Sequence, residues 1–297
     1  MSGVSIIGSG KMAGALAFAL AKAGRPADNI FFIHKIPEWA DHVSLGGAKV
    51  RPFDEWQDSR CEIVLIAVGD PFIALIAAKL IEKRIGMQTV LHVSGSLSSE
   101  VLAPLASTGT AIGSMHPLTS VSDSLTGAGN FAGAFFCIEG TGPALERAEM
   151  IAELLGGRPF TIETKFKSLY HAAAVMASGN VVALFDMARQ VLSACGPDEN
   201  TAGSILLPLL RSTVANLERQ SPAEALTGPF ARADPETVVR HLSAFSDSAG
   251  SIASEIMKTY LMLGGRSIEL AETAGADPDG VDRVRKEISI AKKKLRC

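Results

Sequence analysis

Lys167 and His171 stand four residues apart in a stretch with helical patterning, so one helix face would carry both an ammonium and an imidazole. Two such groups suit proton transfer to or from a substrate oxygen or nitrogen, with Lys167 as the general acid and His171 orienting the substrate or sharing the proton. A surface lysine and a satisfied core histidine are the plainer alternatives. Ser178-Gly179-Asn180 sets a second polar cluster on the same apolar stretch, where Asn180 either binds a carboxylate or carbonyl or caps a kink at Gly179. Thr227-Gly228-Pro229 with Arg232 and Asp234 makes a polar turn. The arginine there either grips a substrate carboxylate, with Thr227 beside it, or pairs with Asp234. His116, before Pro117, reads as a contact near the reacting centre or as a turn residue.

These groups need a scaffold, and the N-terminus supplies its signature. The strand-like run Val4 to Ile7 leads into Gly8-Ser9-Gly10-Lys11-Met12-Ala13-Gly14 and then an Ala- and Leu-rich helix. That setting is the dinucleotide fingerprint. Gly8 makes the turn, Gly10 lets backbone approach a pyrophosphate, and Ala13 or Gly14 lets helix and strand pack closely. The second strand-like run ends in His34-Lys35 rather than an acid for ribose hydroxyls. A cation there favours the 2′-phosphate of NADP(H), with Ser9 and Lys11 as further contacts. Val68-Gly69-Asp70 should border the adenine side of the crevice. Ser94-Gly95-Ser96 and His116 should point towards the nicotinamide, with Ser96 also reaching substrate.

Short β-rich runs over 4–7, 30–34, 62–68, 89–93, 110–115, 134–138 and 159–162 alternate with helical patterns over 11–23, 71–83 and 143–155. This predicts an α/β fold: a Rossmann doubly wound sheet over residues 1–163, followed by an all-helical substrate and dimerisation domain over 164–297. The second part reads as helices over 166–194, 199–219, 235–245, 248–274 and 278–294.

At 297 residues two cores are expected, and 47% hydrophobic with 20% charged residues is ordinary globular composition. A net charge of -3 with mixed signs gives no reason to expect nucleic acid or an anionic membrane surface; the cationic run from Lys292 to Arg296 suits the C-terminal pole of a last helix. Four scattered cysteines, including Cys297, imply reduced thiols and no metal. With no secretory leader pattern and no run of about 18 consecutive apolar residues, the expected location is cytoplasmic, without a membrane-spanning helix. The apolar runs 181–185 and 205–210 exceed what a small helical domain buries, which points to a homodimer.

Taken together, Gly8-x-Gly10-x-Met12-Ala13, His92-x-Ser94-Gly95-Ser96, His116-Pro117-Leu118, Lys167-x-x-Tyr170-His171-Ala172-Ala173-Ala174, Leu226-Thr227-Gly228-Pro229 and Arg232-x-Asp234 resemble a bacterial family of Rossmann-like oxidoreductases with a helical C-terminal domain. That family lies in the group containing 6-phosphogluconate dehydrogenase, ketopantoate reductase, pyrroline-5-carboxylate reductase and prephenate dehydrogenase. The resemblance implies an NADP-linked, dimeric dehydrogenase or reductase of a small molecule. Ketopantoate-like 2-oxo acids lead as substrate, with imine or prephenate-type chemistry and a non-catalytic NADP sensor as alternatives. Several relatives read Lys-x-x-x-Asn where this chain has Lys167 and His171, which leaves the proton-transfer partner open between the two.

Overall fold

The structure, a computed structural model, describes residues 3–42, 45–56, 61–248 and 254–295. The opening of the helix expected over 248–274, at residues 249–253, and Arg296 and Cys297 lie outside them. The chain divides into two compact units, Met1–Ser178 and Gly179–Cys297.

The first unit is built on eight strands: β1 Val4–Ile7, β2 Asn29–Phe32, β3 Lys49–Pro52, β4 Cys61–Ile66, β5 Met87–His92, β6 Ala111–Pro117, β7 Phe135–Gly140 and β8 Arg158–Thr161. Their order is β3-β2-β1-β4-β5-β6-β7-β8, parallel throughout except that β7 runs against β6. This is the doubly wound Rossmann order extended by an antiparallel strand and its parallel neighbour. Alternation along the central strands explains the two covered faces. Ile6, Ile63, Leu65 and Leu91 pack into one core with helices α1 (Lys11–Lys22) and α5 (Gly142–Leu154). Ile7, Val64, Ile66 and Val90 pack into a second core with α2 (Asp70–Glu82) and the short α3 (Ala103–Ala106). Near-continuous apolar runs are what a parallel sheet buried on both sides requires. The outermost strands β3 and β8 are the polar ones, and β3, which the sequence pattern does not announce, has no fully buried residue. Helix α4 (Ser124–Gly129) lies against α1.

Helix α6 (Lys167–Ala177) closes this unit, and α7 (Gly179–Ser193) opens the next. The single helix expected over 166–194 is therefore two. Ser178 leaves helical geometry at φ -126 and ψ -77, its hydroxyl donates back to the Ala174 carbonyl over 3.0 Å, and Gly179 follows with no side chain to hold the turn. The helical unit continues with α8 (Glu199–Leu217), α9 (Pro222–Ala225), α10 (Pro235–Asp247), α11 (Ser254–Thr273) and α12 (Pro278–Lys294). Its core gathers Val238, Leu242, Leu261, Ile268, Val281, Val284 and Ile288 from α10, α11 and α12. Helices α7 and α8 bury almost nothing of their own, and Val182, Ile205 and Leu209 stand more than half exposed. By length and composition the stretch Thr164–Ser193 contains an 18-residue window, at a mean hydropathy of 1.3, that is apolar enough to cross a membrane. Its average rests on alanines, valines and leucines set between polar residues rather than on a continuous apolar run, and helical geometry breaks at Ser178.

Gly14 sits where α1 meets α4. A Cβ there would lie 2.6 Å from Ser124 Oγ and 2.8 Å from the Trp39 ring, whereas at Gly129 it would meet nothing within 4 Å. Gly14→Val should therefore lower the unfolding free energy by about 1–3 kcal/mol in urea titrations, and Gly129→Ala should stay within about 0.5 kcal/mol. Equal midpoints for the two variants would contradict this packing.

Candidate functional site

The turn between β1 and α1 is shaped by contact with β4. Gly8, at φ 149, lies so close to the Ala67 carbonyl that a side chain there would collide with it. Gly10 is the N-cap of α1 and supplies no side-chain cap, while a Cβ on it would meet nothing within 4 Å. Open space in front of uncapped helix N–H groups fits a dinucleotide pyrophosphate. Met12 is half-buried behind the turn and Ala13 packs on Gly8, whereas Gly14 serves the α1–α4 contact rather than the strand. Ser9, Lys11 and Lys35 line one hollow of about 520 Å³ with Trp39 and Asp123. His34 is exposed beside it, and Lys35 forms a 3.6 Å ion pair with Glu38 in which both side chains are mostly solvated. Such a pair holds its lysine weakly.

Val68, Gly69 and Asp70 do not line that hollow. Gly69 is the N-cap of α2, and the Asp70 carboxylate accepts a short hydrogen bond from the Ser96 hydroxyl, which ties this loop to the end of β5. The β5 loop is itself held rigidly. Buried His92 donates through Nε2 to the Ser98 carbonyl at 3.1 Å and accepts from the Ser94 N–H at 3.2 Å. The Ser94 hydroxyl accepts from the N–H groups of Ser96 and Leu97 at 3.1 and 3.0 Å. Ser94 and Ser96 are thus spent on shaping the loop around Gly95.

Gly95 is the meeting point. A Cβ there would stand 2.5 Å from His171 Nδ1 and 2.8 Å from His116 Nε2, so the missing side chain is what lets the two rings converge. His116 comes from the carboxyl end of β6 and His171 from α6, with ring centroids 5.9 Å apart. His171 Nδ1 is buried with no hydrogen-bond partner among the described residues. A buried orphan nitrogen is costly, and a bound ligand would supply its partner. His116 Nδ1 lies 2.7 Å from the Tyr170 hydroxyl, a contact that no sequence motif announces. Burial, reinforced by Lys167 and His171, lowers the His116 pKa to about 4. Burial does the same to His92, also to about 4.

Lys167, expected as the general acid, is buried, and so it is not the surface lysine of the plainer alternative either. Only 1% of it is accessible, and its ammonium donates to Ser114 Oγ at 2.6 Å and to Cys137 Sγ at 3.9 Å. Burial lowers its pKa, opposed by Cys137 and Glu139. Glu139, also buried, accepts from the Ser99 N–H and hydroxyl at 2.7 Å each and from the Thr164 hydroxyl at 3.1 Å. Nothing in the motif pattern marks Glu139, and Tyr170 stands in the motif beginning at Lys167 without a role read for it. Asn180, Thr227 and Arg232 belong to the helical unit and are exposed. Asp234 caps α10 through the Thr237 N–H at 2.9 Å and only grazes Arg232 at 4.0 Å. Among the described residues no group of three or more His, Cys, Asp or Glu is placed to hold a metal.

This geometry defines a Rossmann-like domain followed by a helical region. A Rossmann-like domain family matches residues 2–117, and a second, described as a domain of unknown function (DUF2520), matches residues 134–267. No curated protein matches the chain. Among solved structures, a Thermotoga maritima protein is similar at TM-score 0.69 and 23% identity, over 91% of this chain and 99% of its own. A Bacteroides fragilis protein proposed to be an NADP oxidoreductase is similar at 0.67 and 19%, over 90% and 97%. The 1-pyrroline-5-carboxylate reductase of Streptococcus pyogenes is similar at 0.58 and 15%, over 91% and 98%.

Since both histidines have folded pKa values of about 4 against the ordinary histidine value of 6.5, the unfolded chain binds more protons between those limits, and stability falls as the pH drops through that window. Each should cost on the order of 2 kcal/mol between pH 7 and pH 5. In an NMR titration the ring protons of His92 and His116 should stay unchanged from pH 8 to pH 5; a midpoint above 6 at either would contradict the burial described.

Proposed function

We propose that the chain is an NADP(H)-dependent oxidoreductase that reduces the carbonyl of a small 2-oxo carboxylate. The observation that carries this reading is the convergence of His116 Nε2 and His171 Nδ1 over Gly95, at the carboxyl ends of β5 and β6, where ligands of doubly wound sheets bind. The bound nicotinamide would supply the hydride. Ser9, Gly10 and Lys11 would hold its phosphates. The hollow with Ser9, Lys11 and Lys35, in place of an acid after β2, supports NADP(H) over NAD(H). The descriptions of the Bacteroides protein and of a Plasmodium falciparum reductase with NADP bound agree with this preference.

His171 moves the proton in this reading. His116 is neutral near pH 7, so it offers a hydrogen bond and not a proton, and Lys167 is sealed behind the strands. His171 is left with a free ring nitrogen facing the point of convergence. Lys167 acts through its charge, which disfavours a second cation on His116, and through its tie to Ser114. Arg232 is two-thirds exposed and barely engaged by Asp234, which leaves its guanidinium available to a carboxylate. A cyclic imine is the second substrate class, supported by neighbours described as pyrroline-5-carboxylate and imine reductases. The chain acts as a homodimer, because the exposed apolar faces of α7 and α8 are the kind of surface a second copy covers.

Titration with NADPH and NADH should show tighter NADPH binding, and Lys35→Ala should weaken NADPH about tenfold while leaving NADH unchanged. In a screen of 2-oxo acids and cyclic imines, His171→Ala should lower kcat by at least about 100-fold at unaltered nucleotide affinity. Tight nucleotide binding without turnover of any of them would instead favour a non-catalytic sensor. Light scattering should give a dimer that Val182→Glu with Leu209→Glu converts to monomer, and a monomeric parent protein would refute the pairing.

A further inference from the structure

Two separate segments must keep a fixed distance for His171 to stand over Gly95: the loop that follows β5 and the turn that leads into α6. The direct hydrogen bond between loop and helix, from the Ser168 hydroxyl to the Ser96 carbonyl, is long at 3.4 Å and exposed. Shorter, buried bonds run through a third element. Glu139, on β7 and 3% exposed, accepts the Ser99 N–H on Oε1 and the Ser99 hydroxyl on Oε2, each at 2.7 Å, and Oε2 also accepts from the Thr164 hydroxyl at 3.1 Å. Ser99 opens the turn Ser99–Leu102, directly after the Ser98 carbonyl that accepts from His92. Thr164 opens the turn Thr164–Phe166, which ends at Lys167, the first residue of α6.

We infer that Glu139 is a positioning residue: its carboxylate ties the β5 loop to the entry of α6 and so sets where the His171 ring stands relative to Gly95 and His116. The purpose of the tie rests on the reductase reading; its geometry does not. Neutralising Lys167 is the rival role for a buried carboxylate at this place, since Ser114, which accepts from Lys167, faces Glu139 across the strand pair. The two roles separate by substitution. A glutamine keeps one oxygen for the Ser99 N–H, and its amide donates to hydroxyls that can turn to accept, so it retains the tie and loses the charge. Alanine loses both and leaves the Ser99 N–H without its acceptor. Thr164→Val keeps the charge and cuts the tie at its α6 end.

The test is the nuclear Overhauser contact between the His116 and His171 rings in the ligand-free chain, whose centroids lie 5.9 Å apart, assigned with His116→Gln and His171→Gln. Glu139→Gln should keep the contact, whereas Thr164→Val and Glu139→Ala should weaken or lose it. With a substrate that the protein reduces, Thr164→Val should lower kcat about fivefold and Glu139→Ala about 30-fold, at unchanged KM for NADPH, and Glu139→Gln should stay within about twofold of the parent. A ring contact that survives in Thr164→Val would overturn the assignment. So would a Glu139→Gln protein that behaves like Glu139→Ala, which would make Glu139 the counter-charge of Lys167 instead. Should Glu139→Ala not fold, Thr164→Val and Glu139→Gln decide between these outcomes. Loss of the ring contact in Thr164→Val, in a protein that reduces nothing, would uphold the tie while the proposed function fell.

Discussion

Strand β7 lies against β6 in a register that sets Ser114 opposite Glu139 and His116 opposite Cys137. Facing residues of an antiparallel pair share a side of the sheet, as do alternate residues along each strand, so these four side chains form one patch. Helix α6 delivers Lys167 into that patch and Tyr170 to its rim. A slip of β7 by one residue would turn Cys137 and Glu139 to the opposite face and take from the buried ammonium one of its acceptors and its nearby carboxylate. Register, cation and imidazole are one constraint: the charge is tolerable because Ser114 and Cys137 receive it near Glu139, and its presence is part of what keeps His116 neutral.

Polar burial of this kind adds little net stability, since removing a charge from water costs about as much as its partners return. Its effect is geometric. The β5 loop is pinned by His92 and Ser94, the β6 histidine by Tyr170, and the helix by Lys167, so that rings from two separate elements meet over a residue without a side chain. Hydrogen-bonding groups fixed before a ligand arrives need not be reorganised when charge develops on it.

The parts of this arrangement that could be read from the chain are those set by near neighbours. Strand, glycine turn and helix follow one another within about twenty residues, and the apolar runs of β1 and β4 announce a covered sheet. Strand β3 escapes because Lys49 and Arg51 on a half-solvated edge leave no apolar pattern. Lys167 and His116 were legible as chemistry but not as geometry. Lysine is by default a surface residue, and only the fold discloses acceptors 53 and 30 residues away in Ser114 and Cys137. Tyr170 stands in the motif that begins at Lys167, but its partner His116 is 54 residues away and no local pattern pairs them. The break at Ser178 depends on a single residue leaving helical angles inside a stretch of high helical propensity.

Both outermost strands of the sheet, β3 and β8, carry a proline, Pro52 and Pro159. Proline has no amide hydrogen to offer an incoming backbone, so each rim interrupts the ladder on which another chain would template itself. The sheet is thereby terminated on both sides by its own covalent chemistry. Copies of this molecule that meet must recognise one another through side chains, which can be selective, rather than through main-chain pairing, which is open to any extended strand.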